Sequence, residues 1–405
     1  MPVSAWVKER IVIHRRSCLA SFLLAFTPAP AFALEPAPSL NDQLERTRAK
    51  HGLPALAAAV VKDGKIVDSG AVGVRALGSA VKVTIGDRFH LGSDTKAMTA
   101  TLAGMMVDEG KLQWSSTIGD VLGAELLGLN RHLAVVTLEQ LLSHTSGIPS
   151  DTNPIVELYY SADAFHYNLP ALRLRVLSAW KSHAPVTPPG SAFHYANLGY
   201  LTVGAMLEKV AGISWEELIT KRIYAPLGLA SAGLGPQAST GKLDAPVGHD
   251  VSDKGVITPM PWGPAADLPP VIGPAGSAHM SVLDFAAWAG WNAGSGKRGP
   301  ALVKPETLAN IYRPKITVPK LASSGPGMPK EGQYAFGWGV VKFDWMSGPV
   351  LTHNGSNSMN FAKIVVDPDH DLGVVVMTNF PGQAAEDASN ETFEALYRRH
   401  APKAT

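Results

Sequence analysis

His90-Leu91-Gly92-Ser93-Asp94-Thr95-Lys96-Ala97-Met98-Thr99-Ala100 is the stretch around which the rest of the chain is organised. Gly92 is suited to ending an extended segment and Ser93 to opening a helix. Ala97 to Val107 continue in good helix formers until Gly110 stops them. On a helix the residue three positions on lies about 60° round and about 4.5 Å up the axis, so the Lys96 ammonium reaches back to the Ser93 hydroxyl. A nucleophile and a proton-handling amine are thereby expected side by side. Spacing alone does not select them, because Ser79–Lys82, Ser178–Lys181 and Ser239–Lys242 also fit S-x-x-K. Those three fall in a link between strand-like runs, late in an amphipathic pattern, and in a Gly/Pro-rich loop. Only Ser93 opens a helix after a strand-like approach.

The chain has 405 residues, a hydrophobic fraction of 46% and a formal net charge of +1. That is a globular composition for one large or two ordinary domains, without the electrostatic footprint of a partner for nucleic acid or an anionic membrane. Residues 1–33 carry Lys8, Arg10, Arg15 and Arg16, then an apolar run from Leu19 to Phe26, then Ala31-Phe32-Ala33. This is the order of a cleavable secretory leader, and Arg15-Arg16 keeps the twin-arginine route open beside the general one. Either route predicts a periplasmic or secreted mature protein. The only cysteine, Cys18, lies in the leader, which leaves the mature chain no disulfide, zinc–thiolate site or cysteine nucleophile. No later apolar run approaches the length of a membrane span.

From Leu40 to His51 the pattern is helical. Ala55–Lys62 and Lys65–Val74 are strand-like and joined at Asp63-Gly64, a hairpin signal. After the Ser93 helix, Leu112–Val121 reads as loop. Thr137–Gly147 reads as a short helix with a capping-box start, and Leu169–Trp180, Gly199–Val210 and Ser214–Tyr224 as further helices. Pro236–Pro274 has no period and reads as surface loop. A capped helix begins at Ser281. Strands are expected over Tyr334–Phe343, Val350–His353, Phe361–Val366 and Leu372–Asn379, before a last helix over Ala384–Arg399. Strands at both ends with helices between predict an α/β plus all-α fold: an antiparallel sheet flanked by helices, with an inserted helical domain. The corresponding boundaries are 34–115 with 275–405 for the discontinuous α/β part and 116–274 for the helical part.

Two further stretches supply chemistry. In His194-Tyr195-Ala196-Asn197, Tyr195 is the only tyrosine with asparagine two residues on. A phenol has a reference pKa near 10, and a neighbouring lysine ammonium favours the phenolate, so Tyr195 beside Lys96 is a candidate general base. In Thr352-His353-Asn354-Gly355-Ser356, Gly355 would let a substrate backbone approach the strand edge. The N–H groups of Ser93 and Ser356 are candidates for an oxyanion hole.

Together, Ser93-x-x-Lys96, Tyr195-x-Asn197 and His353-x-Gly355 resemble the serine β-lactamase and penicillin-binding-protein superfamily. They come nearest the class C β-lactamase-like branch with its family VIII esterases and D-amino-acid peptidases. The resemblance covers nearly the whole mature chain. It implies the β-lactamase/transpeptidase-like fold, a site between the two parts, and Ser93, Lys96 and Tyr195 as the catalytic set. One element departs from the pattern. Class C enzymes usually carry Lys-Thr-Gly where this chain has His353-Asn354-Gly355, and a histidine of ordinary pKa is charged only about a quarter of the time at pH 7. A substrate carboxylate is therefore held less firmly.

The expected activity is that of an exported serine hydrolase cleaving esters or amides of small acyl or peptide substrates, with no metal or cofactor required. Asn197 would bond a substrate amide or orient Lys96, and His353 would shuttle a proton or bind a polar substrate group. A true class C-like β-lactamase or D-alanyl-D-alanine carboxypeptidase is an alternative. A non-catalytic relative that binds peptide or cell-wall fragments is another. No serine fits G-x-S-x-G, and Gly294-Ser295-Gly296-Lys297 lacks the spaced glycine and following hydroxyl of a P-loop.

Overall fold

A computed structural model describes residues 39–160, 168–319 and 331–402. The leader-like residues 1–33 lie outside the described residues. The chain from Ser39 onward makes one compact unit, built on an eight-stranded sheet. Its strands are β1 (Ala55–Lys62), β2 (Lys65–Gly73), β3 (Ile316–Val318), β4 (Gly332–Tyr334), β5 (Gly339–Val341), β6 (Val350–Ser356), β7 (Phe361–Asp367) and β8 (Leu372–Thr378), in the order β2-β1-β8-β7-β6-β5-β4-β3. Every neighbouring pair is antiparallel. β1 turns into β2 through Asp63 and Gly64, which have φ of 51° and 71°, the pair of positive angles that a two-residue hairpin turn needs. The last strand, β8, lies between β1 and β7, so the two ends of the chain meet in the middle of the sheet.

Helices cover both faces. α1 (Leu40–Lys50) and α5 (Gly382–His400) lie on one face over a cluster that includes Leu44, Val60, Phe361, Val374, Phe393 and Leu396. α4 (Val282–Ala293) lies on the other, where Gly290 leaves room for Val61: a Cβ there would stand 2.7 Å from that side chain. Burial on both faces explains why β1 and β8 are almost continuously apolar rather than alternating. The core on the α4 side continues without a break into the helices between residues 118 and 227.

At the centre of that core is α2 (Thr95–Asp108), buried all round from Thr95 to Met106. It therefore has no polar face, and its hydroxyls find partners locally: Thr95 donates to Gly92 O at 2.7 Å, Thr99 to Pro274 O at 2.7 Å and Thr101 to Ala97 O at 2.9 Å. α3 (Asn197–Ala211) packs beside it, with Gly204 pressed on Pro274.

Four expectations need correction. Ser93 does not cap α2; it lies in a one-turn 3-10 segment, Gly92–Asp94, ahead of the helix, and its side chain bonds no helix N–H. The stretch 112–121 is not all loop, because Thr117 and Asp120 form a capping box that starts the helix Ile118–Leu122. The aperiodic 236–274 holds a hairpin of Gly248–Val251 with Ile257–Met260. The single strand expected over 334–343 is two, β4 and β5. The break falls at Gly337, whose φ is 73° and whose Cβ position lies 2.7 Å from Lys96 O. Only glycine fits there, so the strand bends where it meets α2.

Candidate active site

Ser93 is half-buried, reachable from outside, and faces the side chain of Lys96, which is fully buried. The Lys96 ammonium donates three hydrogen bonds: to Ser93 Oγ at 2.9 Å, Asn197 Oδ1 at 2.7 Å and the carbonyl oxygen of Ala275 at 2.7 Å. Its Nζ also lies 4.9 Å from the ring centroid of Tyr195 and 5.4 Å from that of Tyr200. Burial lowers its pKa to about 7, against the pull of the Asp151 and Asp94 charges, which favour the protonated form.

Tyr195 joins this group with its ring beside the Lys96 ammonium, and the Ser93 side chain is near enough to its hydroxyl to influence its protonation. Two distant stretches, 93–96 and 195–197, thus meet as the sequence predicts. The surroundings disfavour the expected phenolate. Burial pushes the Tyr195 pKa up, and the Asp94 and Asp151 charges add to that, while the neighbouring Ser93 side chain pulls it down. Taken out of water, a phenol holds its proton and a lysine loses one, so the readily deprotonated member of the pair is Lys96. Tyr195 is set by the buried His144, whose ring stands 4.3 Å away and whose Nδ1 accepts from the Ala196 N–H at 3.1 Å.

β6 carries the third stretch along the nucleophile turn. A Cβ on Gly355 would stand 1.7 Å from Leu91 O and 2.9 Å from Ser93 N, and one on Gly92 would stand 2.4 Å from Ser356 N. Glycine at 355 therefore admits the protein's own backbone rather than a substrate, which corrects the sequence reading. The same contact brings the N–H groups of Ser93 and Ser356 onto facing segments.

His353, on β6, is buried, and both its ring nitrogens are engaged. Nδ1–H donates to Asn354 O at 2.7 Å, which leaves Nε2 to accept from the Tyr334 hydroxyl at 3.0 Å. Burial and the Lys96 charge lower its pKa to about 3. It is therefore neutral at pH 7, not partly charged as its reference pKa implies.

Sequence reasoning missed three contributors. The Ala275 carbonyl is backbone, which no side-chain pattern reveals. Asp94 is buried 3.5 Å from His353 Nδ1, with burial holding its carboxyl well above the usual range. Asp151 accepts from Asn197 Nδ2 at 2.7 Å, so Asn197 links an acid to the lysine and orients both. The sequence also places five aromatic rings close together, Tyr159, Tyr160, Phe165, His166 and Tyr167; Tyr159 is buried and Tyr160 exposed, and the other three lie outside the described residues.

The arrangement has recognisable relatives. The chain is 27% identical to penicillin-binding protein 4 of Amycolatopsis lactamdurans over 359 residues, covering 88% of each protein. It is 26% identical to the unguisins hydrolase ungD of Aspergillus violaceofuscus over 81% of this chain, and spans 58% of that relative's length. Among solved structures, the octameric penicillin-binding protein homologue of Pyrococcus abyssi superposes with a TM-score of 0.71 at 24% identity, over 89% of this chain and 77% of that one. A D-stereospecific amidohydrolase from Streptomyces sp. does so with a TM-score of 0.69 at 21% identity, over 90% and 100%. Those likenesses show the β-lactamase/transpeptidase-like fold. The sequence model of the family described as Beta-lactamase matches residues 40–399, and the chain accordingly belongs to the β-lactamase family of serine hydrolases.

Proposed function

We propose that this chain is an exported serine hydrolase that cleaves ester or amide bonds of small acyl or peptide substrates through an acyl-enzyme on Ser93. The environment of Lys96 carries the reading. A neutral amine has two N–H groups and one lone pair. The Asn197 and Ala275 oxygens take the two hydrogens, which aims the lone pair at the Ser93 hydroxyl. With a pKa of about 7, roughly half of the amines are in that state at pH 7.

Lys96 takes the Ser93 proton as Oγ attacks the carbonyl carbon, and the N–H groups of Ser93 and Ser356 receive the oxyanion. The C–O or C–N bond then breaks. The leaving alkoxide or amine takes the Tyr195 proton, and the Lys96 ammonium replaces it. Water attacks the acyl-enzyme with Lys96 again as base, releasing the acid and restoring Ser93. Export is supported by the leader-like order of residues 1–33.

Replacing Ser93 by Ala is expected to lower 4-nitrophenyl acetate turnover by about 10³-fold or more and to abolish labelling by a fluorophosphonate probe. Labelling that survives in a folded Ser93→Ala protein removes Ser93 from its role. A class C-like β-lactamase or D-alanyl-D-alanine carboxypeptidase is the second reading, favoured by the named penicillin-binding relative. It needs a cation for the substrate carboxylate, and a buried neutral His353 supplies none.

A further inference from the structure

The two N–H groups of the candidate oxyanion hole belong to segments far apart in the sequence, and one buried carboxylate is bonded beside both. His90 ends a short strand, Arg88–His90, and its Nδ1 accepts from the Gly92 N–H at 3.0 Å, one residue before Ser93. A backbone N–H can only donate, so the ring proton sits on Nε2, which donates to Asp267 Oδ2 at 3.0 Å. The other oxygen, Oδ1, accepts from Asn357 Nδ2 at 2.8 Å, one residue after Ser356, and from the Leu268 N–H at 2.7 Å. Asn357 is fixed in turn: its Oδ1 accepts from the Met359 N–H at 3.2 Å and from Asn360 Nδ2 at 3.0 Å. His90, Asp267 and Asn357 are all buried, and the chemistry derived above uses none of them. Gly92, which His90 holds, has φ of 51°, a conformation that a glycine leaves readily unless something keeps it there.

We propose that Asp267 is a positioning residue for the oxyanion hole, a brace that fixes the Ser93 N–H, through His90 and Gly92, against the Ser356 N–H, through Asn357. The inference rests on the acyl-transfer reading above and extends it to residues behind the reacting atoms. The contact of Gly355 with Leu91 sets how closely β6 and the nucleophile turn can approach. It does not stop them from parting, and the bonds through Asp267 do. Both N–H groups must point at one developing oxyanion to stabilise it, and a misplacement of about 1 Å costs about 10²-fold in rate. A carboxylate suits this place better than a neutral acceptor, because its hydrogen bonds are charge-assisted and about twice as strong. It also accepts from every donor that converges there, whereas an asparagine brings an NH₂ group of its own that must face at least one of them. Asp267→Asn therefore keeps the shape and breaks the tie.

Hydrolysis of 4-nitrophenyl acetate by the intact mature chain, by Asp267→Asn and by His90→Asn tests this. Each preparation is also labelled to completion with a fluorophosphonate probe, which counts its competent sites. Acylation and deacylation both pass through the oxyanion hole and slow together, so in Asp267→Asn kcat per labelled site is expected to fall about 10²-fold while KM changes by less than about threefold. His90→Asn separates the brace from the turn. An asparagine has an acceptor where Nδ1 stood and nothing where Nε2 stood, so it still closes the turn on the Gly92 N–H and loses only Asp267. Its kcat per labelled site is expected to fall about as far as that of Asp267→Asn. A purely structural role instead lowers the labelled fraction and the thermal midpoint and leaves kcat per labelled site within about threefold of the parent chain. That result in either variant overturns the inference while the hydrolase reading stands, and where one variant yields no labelled protein the other decides by the same outcomes. No turnover and no labelling of the unsubstituted chain overturns the hydrolase reading and this inference with it.

Discussion

Lys96 shows how burial converts a residue identified by spacing into a working base. A lysine in water has a pKa near 10.4 and is almost never neutral at pH 7; here desolvation brings it to about 7. The expected kcat/KM for a neutral ester therefore rises about tenfold per pH unit below pH 6, bends near 7 and is level above 8, as a pH–rate profile would show. A flat profile from pH 5 to 8 contradicts Lys96 as base. Stability follows the same titration. Between about pH 7 and 10.4 the unfolded lysine holds a proton that the native one has released, so the group's contribution to stability rises with pH across that window. Lys96→Met removes that slope along with the activity. At this scale the sequence exposes the residue types and their spacing, which sufficed to bring Ser93, Lys96, Tyr195 and Asn197 together. It hides what depends on the surroundings: the direction of each pKa shift, the backbone oxygen of Ala275, and Asp151, which no periodicity marks.

Between elements, the contact that matters is backbone on backbone. β6 meets the nucleophile turn so closely that Gly355 has no room for a methyl group against Leu91 O. Gly355→Ala must push strand and turn apart, separating the N–H groups of Ser93 and Ser356 and costing about 1–3 kcal/mol of overpacking. The expected result is a fall in kcat of about 10²-fold or more, with a lowered thermal midpoint. Gly348→Ala is the control, because a Cβ there meets nothing nearer than 3.8 Å. Equal activity in the two variants contradicts the role given to this contact. Element boundaries were legible where local chemistry sets them. Ser281 accepts from the Asp284 N–H, and Thr137 and Gln140 cap each other, both as their sequence patterns indicate. Boundaries imposed from elsewhere were not. The split of β4 from β5 at Gly337 answers to α2, more than two hundred residues earlier, and the two-residue strand Gly233–Leu234 exists only because Ala278–Ser281 is there to pair with it.

For the molecule as a whole, the sheet is closed by its ends. β8 from the last third of the chain hydrogen-bonds to β1 from the first, and α1 meets α5 through Lys50 and His51 on Glu391, at 2.7 Å and 3.0 Å. The discontinuous α/β part was readable because strand-like runs cluster at both ends of the sequence. We propose the division at 115/116 and 274/275 as the way this unit is put together. One buried cluster nevertheless runs from β1 through α2 into the intervening helices, so the two parts share a core and are expected to unfold together. Phe393 on α5 tests this from the face of the sheet remote from Ser93. It is buried against Phe343, Trp345 and Tyr397, with ring centroids 5.3, 5.6 and 5.9 Å away. Phe393→Ala is expected to cost about 3–5 kcal/mol through the lost burial and the cavity left behind. In urea its circular dichroism, tryptophan fluorescence and ester hydrolysis should disappear at one common, lowered midpoint, because losing α5 exposes β8, and β8 holds β1 and β7 in place. Hydrolysis that outlasts the fluorescence transition contradicts this, because it requires a catalytic part able to stand without the sheet's outer face.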